Sequence, residues 1–537
     1  MSTRESIQIS EKMRAAVSAF KHKDYSKTVD ITADIINKDP EHSGAHSLQF
    51  NALFESGRHE QARRIGTKTA KLNPTSLVIL NNQACLQLDA KQPAAAAGLL
   101  KSLIDQYGER SQWLYNLGLA HKLAGNHQYA EQAFARTNDL EPEHDRASFQ
   151  LTESYIETGN LDAALRASQH LRLLRPNHAN TQANHLHLRV TTNTISLAEL
   201  LFETRLWRAK FIPDGKHYDT QVLDKKRPLH IGVNIGEGGT KLIRPLISPL
   251  ADWFLQQDDK VTIFWHTDSD PTSEFDPSVT LVDSNRLSDA EFAKRAHADD
   301  LDIIIDTCGF GRGNRQRALG LQLAKKQFGW LTHEGHYAAN EVQLLDPLLN
   351  FYTADLSEDT SRSVLSERTI YGLACHKGLT EQVVRLWAEV LRKLPNWRLQ
   401  VDLTDPSMQR LLVEQFSREK IDKSRLIFAV ETKLGADSIA LDNIVENCPV
   451  SSIKAVRDGA TVITMRGPLH PSQHTARVLA QCGKGDWVCH DYEQFVHDAY
   501  KAAKTGQYQS LGSSESHRSK LSDISVLGRK MRAIFLS

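Results

Sequence analysis

The chain lacks paired cysteines. Its six, Cys85, Cys308, Cys375, Cys448, Cys482 and Cys489, are scattered over 537 residues with no CxxC among them. That spacing suggests neither a zinc knuckle nor a disulfide framework, and reduced thiols are the simpler reading. It lacks a charge surplus: Lys+Arg and Asp+Glu stand at 65 each, so no nucleic-acid partner is expected. No apolar run reaches 18 residues, and the opening MSTRESIQISEKMR has no apolar stretch, so neither membrane insertion nor a secretory leader is expected. The implied location is the cytoplasm. HEGH at 333–336 lacks the HExxH spacing, which sets aside a zinc protease, and no cluster of metal-ligating type appears elsewhere. With 40% hydrophobic and 24% charged residues the composition is that of a soluble globular protein, and the length calls for two or three domains.

What the chain does have is a period. Pro40, Pro74, Pro142 and Pro176 fall at multiples of 34 residues, with Gly108 at the missing step. Ala62, Ala96, Ala130 and Ala164 keep the same interval, as do Gly57, Gly125 and Gly159. This is the grammar of tetratricopeptide repeats: a small Ala lets two helices approach, Gly closes the turn between them, and Pro stops the second helix. The clearest copy is 111–142, and the repeats run from about 9 to 176, with a degenerate pair at 179–212 as a cap. Residues 1–212 are therefore read as an α-solenoid, a scaffold that holds polypeptides along its groove. The groove-facing sixth position of each first helix falls on Arg14, Leu48, Asn82, Asn116, Gln150 and Asn184.

Beyond the polar segment 213–228 the period changes to short apolar runs separated by helical stretches: 229–235, 261–267, 301–307 and 327–331. After a helix at 380–394, closed by Pro395, a second series follows at 397–403, 425–430, 438–443, 461–467 and 487–491. This βαβ rhythm predicts two Rossmann-like domains, 213–375 and 376–537, with ligands at the carboxyl ends of the strands. The tail, roughly 510–537, reads as peripheral.

Four segments carry a resemblance. Residues 304–336 (IIDTCGFGRGNRQRALGLQLAKKQFGWLTHEGH), 375–401 (CHKGLTEQVVRLWAEVLRKLPNWRLQV), 441–467 (LDNIVENCPVSSIKAVRDGATVITMRG) and 475–483 (TARVLAQCG) resemble, in order, segments of the O-GlcNAc transferase family in its SPINDLY-like bacterial branch. These are repeat-bearing protein O-glycosyltransferases of the glycosyltransferase-B fold. The resemblance covers nearly the whole chain and implies a solenoid followed by two Rossmann-like domains. It places the family's diphosphate-binding lysine on Lys377 and its paired threonines on Val450 and Ser451. Lys454 stands where the family has the ribose-binding aspartate, and GEGGTK at 236–241 replaces its histidine-proline pair.

These departures leave two readings of function. In one, the chain transfers a sugar from a different nucleotide donor. The cation at Lys454 suits a more anionic one, such as a CMP-linked nonulosonic acid destined for flagellin. In the other, it is a repeat scaffold without catalysis. The enzyme reading assigns Lys377 and His333 to catalysis. Ser451, Ser452, Lys454, Arg477 and Lys241 serve the donor, and Asn82, Asn116, Gln150 and Asn184 grip the acceptor polypeptide's backbone. The duller reading of each is a helix cap, a salt bridge or a solvated side chain. Asp306 either touches the sugar or caps the CGFGRG turn. No metal or cofactor is expected; the nucleotide sugar is a co-substrate.

Overall fold

The computed structural model describes the chain except residues 1–2, 74, 213–222, 237–245, 267–270, 331–341, 346–362, 365–367, 374–378, 430–431, 436–437, 446, 448, 470–471 and 506–523. It divides into two compact units, Met1–Ser154 and Tyr155–Ser537.

Among the described residues twelve helices precede the first strand, from Thr3–Lys21 to Leu197–Phe211, arranged as hairpins. Their turns repeat a single backbone device. Lys23, Gly57, Lys91, Gly125, Gly159 and Asn193 all have φ between 53° and 77°, and they recur every 34 residues. Only three of the six are glycine, so the left-handed turn persists where the Gly signal is lost. Ala62, Ala96, Ala130 and Ala164 are fully buried where hairpin helices meet, and Thr28 fills the equivalent place in the first hairpin. In the 111–142 repeat the approach is closer still. A Cβ on Gly118 would lie 2.5 Å from the Phe134 ring, so only glycine admits that phenylalanine.

Among its described residues the unit Tyr155–Ser537 holds two six-stranded parallel sheets. The first contains β1 (His230–Ile235), β2 (Lys260–Trp265), β3 (Thr280–Asp283), β4 (Ile303–Asp306), β5 (Lys326–Gly329) and β6 (Val342–Leu344), in the order β3-β2-β1-β4-β5-β6. After β7 (Ser363–Val364) come β8 (Thr369–Leu373), β9 (Arg398–Asp402), β10 (Leu426–Ala429), β11 (Thr432–Lys433), β12 (Ile439–Asp442), β13 (Thr461–Met465) and β14 (Val488–Cys489). The second sheet runs β10-β9-β8-β12-β13-β14, and β7 and β11 form a separate two-stranded sheet among the described residues. Both sheets thus share one doubly wound order. Ile231, Ile303, Ile370 and Ile439 are buried because helices cover both faces.

Two expectations need correction. The change of sheet falls before residue 369: β8, left N-terminal to a boundary at 375, is a central strand of the second sheet, paired with β9 and β12. Its Gly372 hid it by breaking the apolar run. A Cβ there would come within 2.6 Å of the Trp387 ring, which is buried against the strand. The tail is not peripheral either. Helix Ile524–Leu536 buries Leu527, Met531 and Phe535 in the core of the first sheet. The Phe535 ring lies 5.1 Å from Phe328 and 6.0 Å from Phe254. Arg532 donates at 3.1 and 3.2 Å to Asp259, which also accepts from the Leu229 amide. No helix of the described residues is long and apolar enough to cross a membrane.

Candidate functional site

In both sheets the strand order reverses between the two central strands, and the crevice this leaves at the carboxyl edge is where doubly wound folds bind ligands. The edge is marked by Ile235 and Asp306 in the first sheet and by Leu373 and Asp442 in the second.

In the second sheet Asp442 closes β12 fully buried. Its Oδ2 accepts from Asn447 Nδ2 and Thr464 Oγ1, each at 2.7 Å, and its backbone carbonyl accepts from Trp387 Nε1. Asn447 passes the chain of bonds on: its Oδ1 accepts from the Thr475 amide at 3.1 Å. The Thr475 and Ser452 hydroxyls then meet at 2.7 Å. This buried network ties the start of helix Pro449–Arg457 to the start of helix His474–Gln481, beside the ends of β12 and β13. Helix starts carry unpaired N–H groups and partial positive charge, so their convergence is suited to phosphate.

The structure brings four of the expected donor residues onto these two helices. Ser451 and Lys454 are half-buried on the first, and Ser452 is wholly buried with its hydroxyl engaged by Thr475. Arg477 is half-buried on the second and donates to Gln473 Oε1 at 2.9 Å. Lys377, His333 and Lys241 lie outside the described residues.

In the first sheet Asp306 caps the Gly-rich turn, the plainer of its two expected roles. Its Oδ2 accepts from the Gly309 amide at 2.9 Å, and its Oδ1 from Asn234 Nδ2 at 2.6 Å. The turn folds over the end of β1 so closely that a Cβ on Gly236 would lie 2.3 Å from the Arg312 carbonyl oxygen. Gly313, with φ 87°, crosses at the same point. Arg315 at the end of the turn points inward, donating to the Ser284 and Leu287 carbonyls and to Asp289. Burial, and next the Asp306 charge, push the Cys308 thiol well above its usual range, so it is no nucleophile at neutral pH.

The expected acceptor residues differ in how free they are. Asn116 Nδ2 donates to Asn81 Oδ1 at 2.9 Å and contacts Cys85 Sγ, while Asn82 Nδ2 donates to Asn51 Oδ1 at 3.0 Å. Both asparagines therefore join successive repeats and are mostly buried. Gln150 Oε1 accepts from Lys122, and Asn184 is half-buried with a side-chain amide that bonds to no described residue. The sequence reading missed Asn234, Asn447, Thr464 and Thr475. For Asn234 and Thr464 the signal is a polar residue inside an apolar strand run, as in HIGVNI and TVITM; Asn447 and Thr475 lie outside the strands and carry no such signal.

No family model and no curated protein sequence matches the chain. Among solved structures it is similar to a Thermobaculum terrenum O-GlcNAc transferase mutant, with TM-score 0.67 and 17% identity over 85% of this chain and 94% of that one. MamA 41-end from Desulfovibrio magneticus RS-1 (16% identity) and the tetratricopeptide protein YrrB (14%) each match 31% of this chain at TM-score 0.29, covering 93% and 86% of their own, too low a score to add to the argument. The fold of this chain is a tetratricopeptide α-solenoid followed by a glycosyltransferase-B pair of Rossmann-like domains.

Proposed function

We propose that this chain is a protein O-glycosyltransferase, moving a sugar from a nucleotide-sugar donor to a Ser or Thr hydroxyl of a polypeptide held by the repeats. What carries the reading is the pair of helix starts joined through Asn447, Thr475 and Ser452 at the carboxyl edge of the second sheet. The shared fold with an O-GlcNAc transferase supports it. In this reading Lys377, Arg477, Lys454 and Lys241 neutralise the donor phosphates, Ser451 donates its hydroxyl to them, Ser452 acts through its backbone, and neither metal nor cofactor is required. The acceptor oxygen attacks the anomeric carbon, the bond from that carbon to the phosphate oxygen breaks, and His333 takes the hydroxyl proton. The Lys454 cation favours a donor with additional negative charge, such as a CMP-linked nonulosonic acid, with flagellin in the cytoplasm as the acceptor.

The test is a thermal-shift panel of UDP, UDP-GlcNAc, GDP, CMP and their sugars. A ligand at about 100 times its Kd stabilises by about 2.7 kcal/mol, a readily seen shift. A rise with one nucleotide class names the donor. No rise with any of them sinks the proposal and leaves a non-catalytic scaffold. On the acceptor side, Asn184→Ala should slow modification without altering the melting temperature. Asn116→Ala should in addition cost about 1–2 kcal/mol, because it leaves Asn81 Oδ1 without its donor. Unchanged modification by the Asn184 variant would remove that residue from the acceptor path.

A further inference from the structure

Within Tyr155–Ser537 a groove of about 1510 Å³ lies between the loop Thr192–Thr194, helix Glu381–Lys393 and helix Tyr492–Thr505. None of its lining residues belongs to the strand-end network. We propose that this groove binds an extended polypeptide segment carrying Lys or Arg side chains, whether or not the chain transfers a sugar.

The first observation is Thr380. It lines the groove at the start of the 13-residue helix Glu381–Lys393, is 3% exposed, and its hydroxyl has no partner among the described residues. A buried hydroxyl left unbonded costs about 1–3 kcal/mol, so it marks a place for a ligand group. A helix start ordinarily takes an anion, but Asp162 already fills that role, its carboxylate accepting from the Glu381 amide at 3.1 Å. A second anion about 4 Å away would be opposed by roughly 1–4 kcal/mol. A cation or a neutral backbone group is what remains: an ammonium, a guanidinium or a peptide N–H to the Thr380 oxygen, or a peptide carbonyl to its O–H.

Charge points the same way. Five carboxylates line the groove against two permanent cations, Arg385 and Lys393. Glu381 and Glu389 share arginines, but Asp162, Asp491 and Glu493 form no ion pair with a described residue. The exposed ring of Tyr492 stands on the same wall, a surface on which a guanidinium stacks, whereas the Tyr500 ring there already carries the Lys504 ammonium 5.9 Å from its centroid. The volume exceeds the roughly 300–1,000 Å³ of small-molecule sites, which suits several residues of extended chain.

The experiment measures fluorescence anisotropy of a fluorescein-labelled Gly-Ser-Arg repeat peptide with the full chain, against a Gly-Ser-Glu repeat. The Arg peptide should bind and the Glu peptide should not, and binding should weaken about tenfold between about 0.05 M and about 0.5 M salt. Glu493→Lys should weaken it about tenfold, and Tyr492→Ala and Thr380→Val should weaken it as well. Glu143→Lys, an exposed reversal on the solenoid, should leave it unchanged. Failure of the Arg peptide to bind, equal binding of both peptides, or parental affinity in the Glu493 variant would overturn the proposal. Because the readout is binding, it is independent of whether a nucleotide donor is found.

Discussion

Phe535→Ala is expected to lower stability by about 3–5 kcal/mol, read as a fall in the denaturation midpoint of the full chain. Phe535 is fully buried and fills the space between Phe254 and Phe328 in the core of the first sheet. Truncation leaves a cavity between two rigid elements, the sheet and helix Ile524–Leu536, which have little room to close on each other. Gly528 of that helix already lies so near Trp253 that a Cβ would come within 2.2 Å of the ring. Conversely, Leu536→Ala should cost well under half as much, since its partly buried side chain only borders the core. A loss below about 1 kcal/mol for Phe535→Ala would mean the C-terminal helix is not part of this core.

Lys377→Ala should reduce sugar transfer by about 10²–10³-fold while leaving the melting temperature of the unliganded protein unchanged. Negative charge appears on the leaving nucleotide as its bond to the sugar breaks. A fixed cation stabilises that charge more than the ground state, so its removal should fall on kcat rather than on folding. Lys377→Arg distinguishes charge from geometry, since the guanidinium keeps the charge but changes its shape. Partial recovery in the Arg variant supports a phosphate contact. Full activity in the Ala variant would strike Lys377 from the mechanism, while leaving open a site built from Arg477 and the two helix starts.

The repeat portion of the chain was legible because its information is local. A buried Ala, a turn glycine and a terminating proline each act within one hairpin, so the 34-residue interval survives in plain text. Where a slot changed residue, as at Lys23, Lys91 and Asn193, the backbone kept the left-handed turn although no glycine announces it. The apolar runs of β1, β4, β9, β12 and β13 were legible for a related reason: strands buried on both faces must be apolar throughout. β8 escaped because Gly372 serves Trp387, a partner 15 residues away. Helix Ile524–Leu536 escaped because its apolar stripe does not say which of two sheets it covers.

By itself the sequence determined the element types, the solenoid period and the succession of two βαβ series, since each follows from residue periodicity and turn chemistry over a few residues. Only the tertiary structure decided which strand lies at the centre of each sheet and that the C-terminal helix returns to the first. It also decided that Ser452, Asn82 and Asn116 turn their polar groups toward protein partners. The reason is physical. Hydrogen-bond partners such as Asp442 and Thr464, or Ser452 and Thr475, lie more than twenty residues apart and meet only when parallel strands align their carboxyl ends.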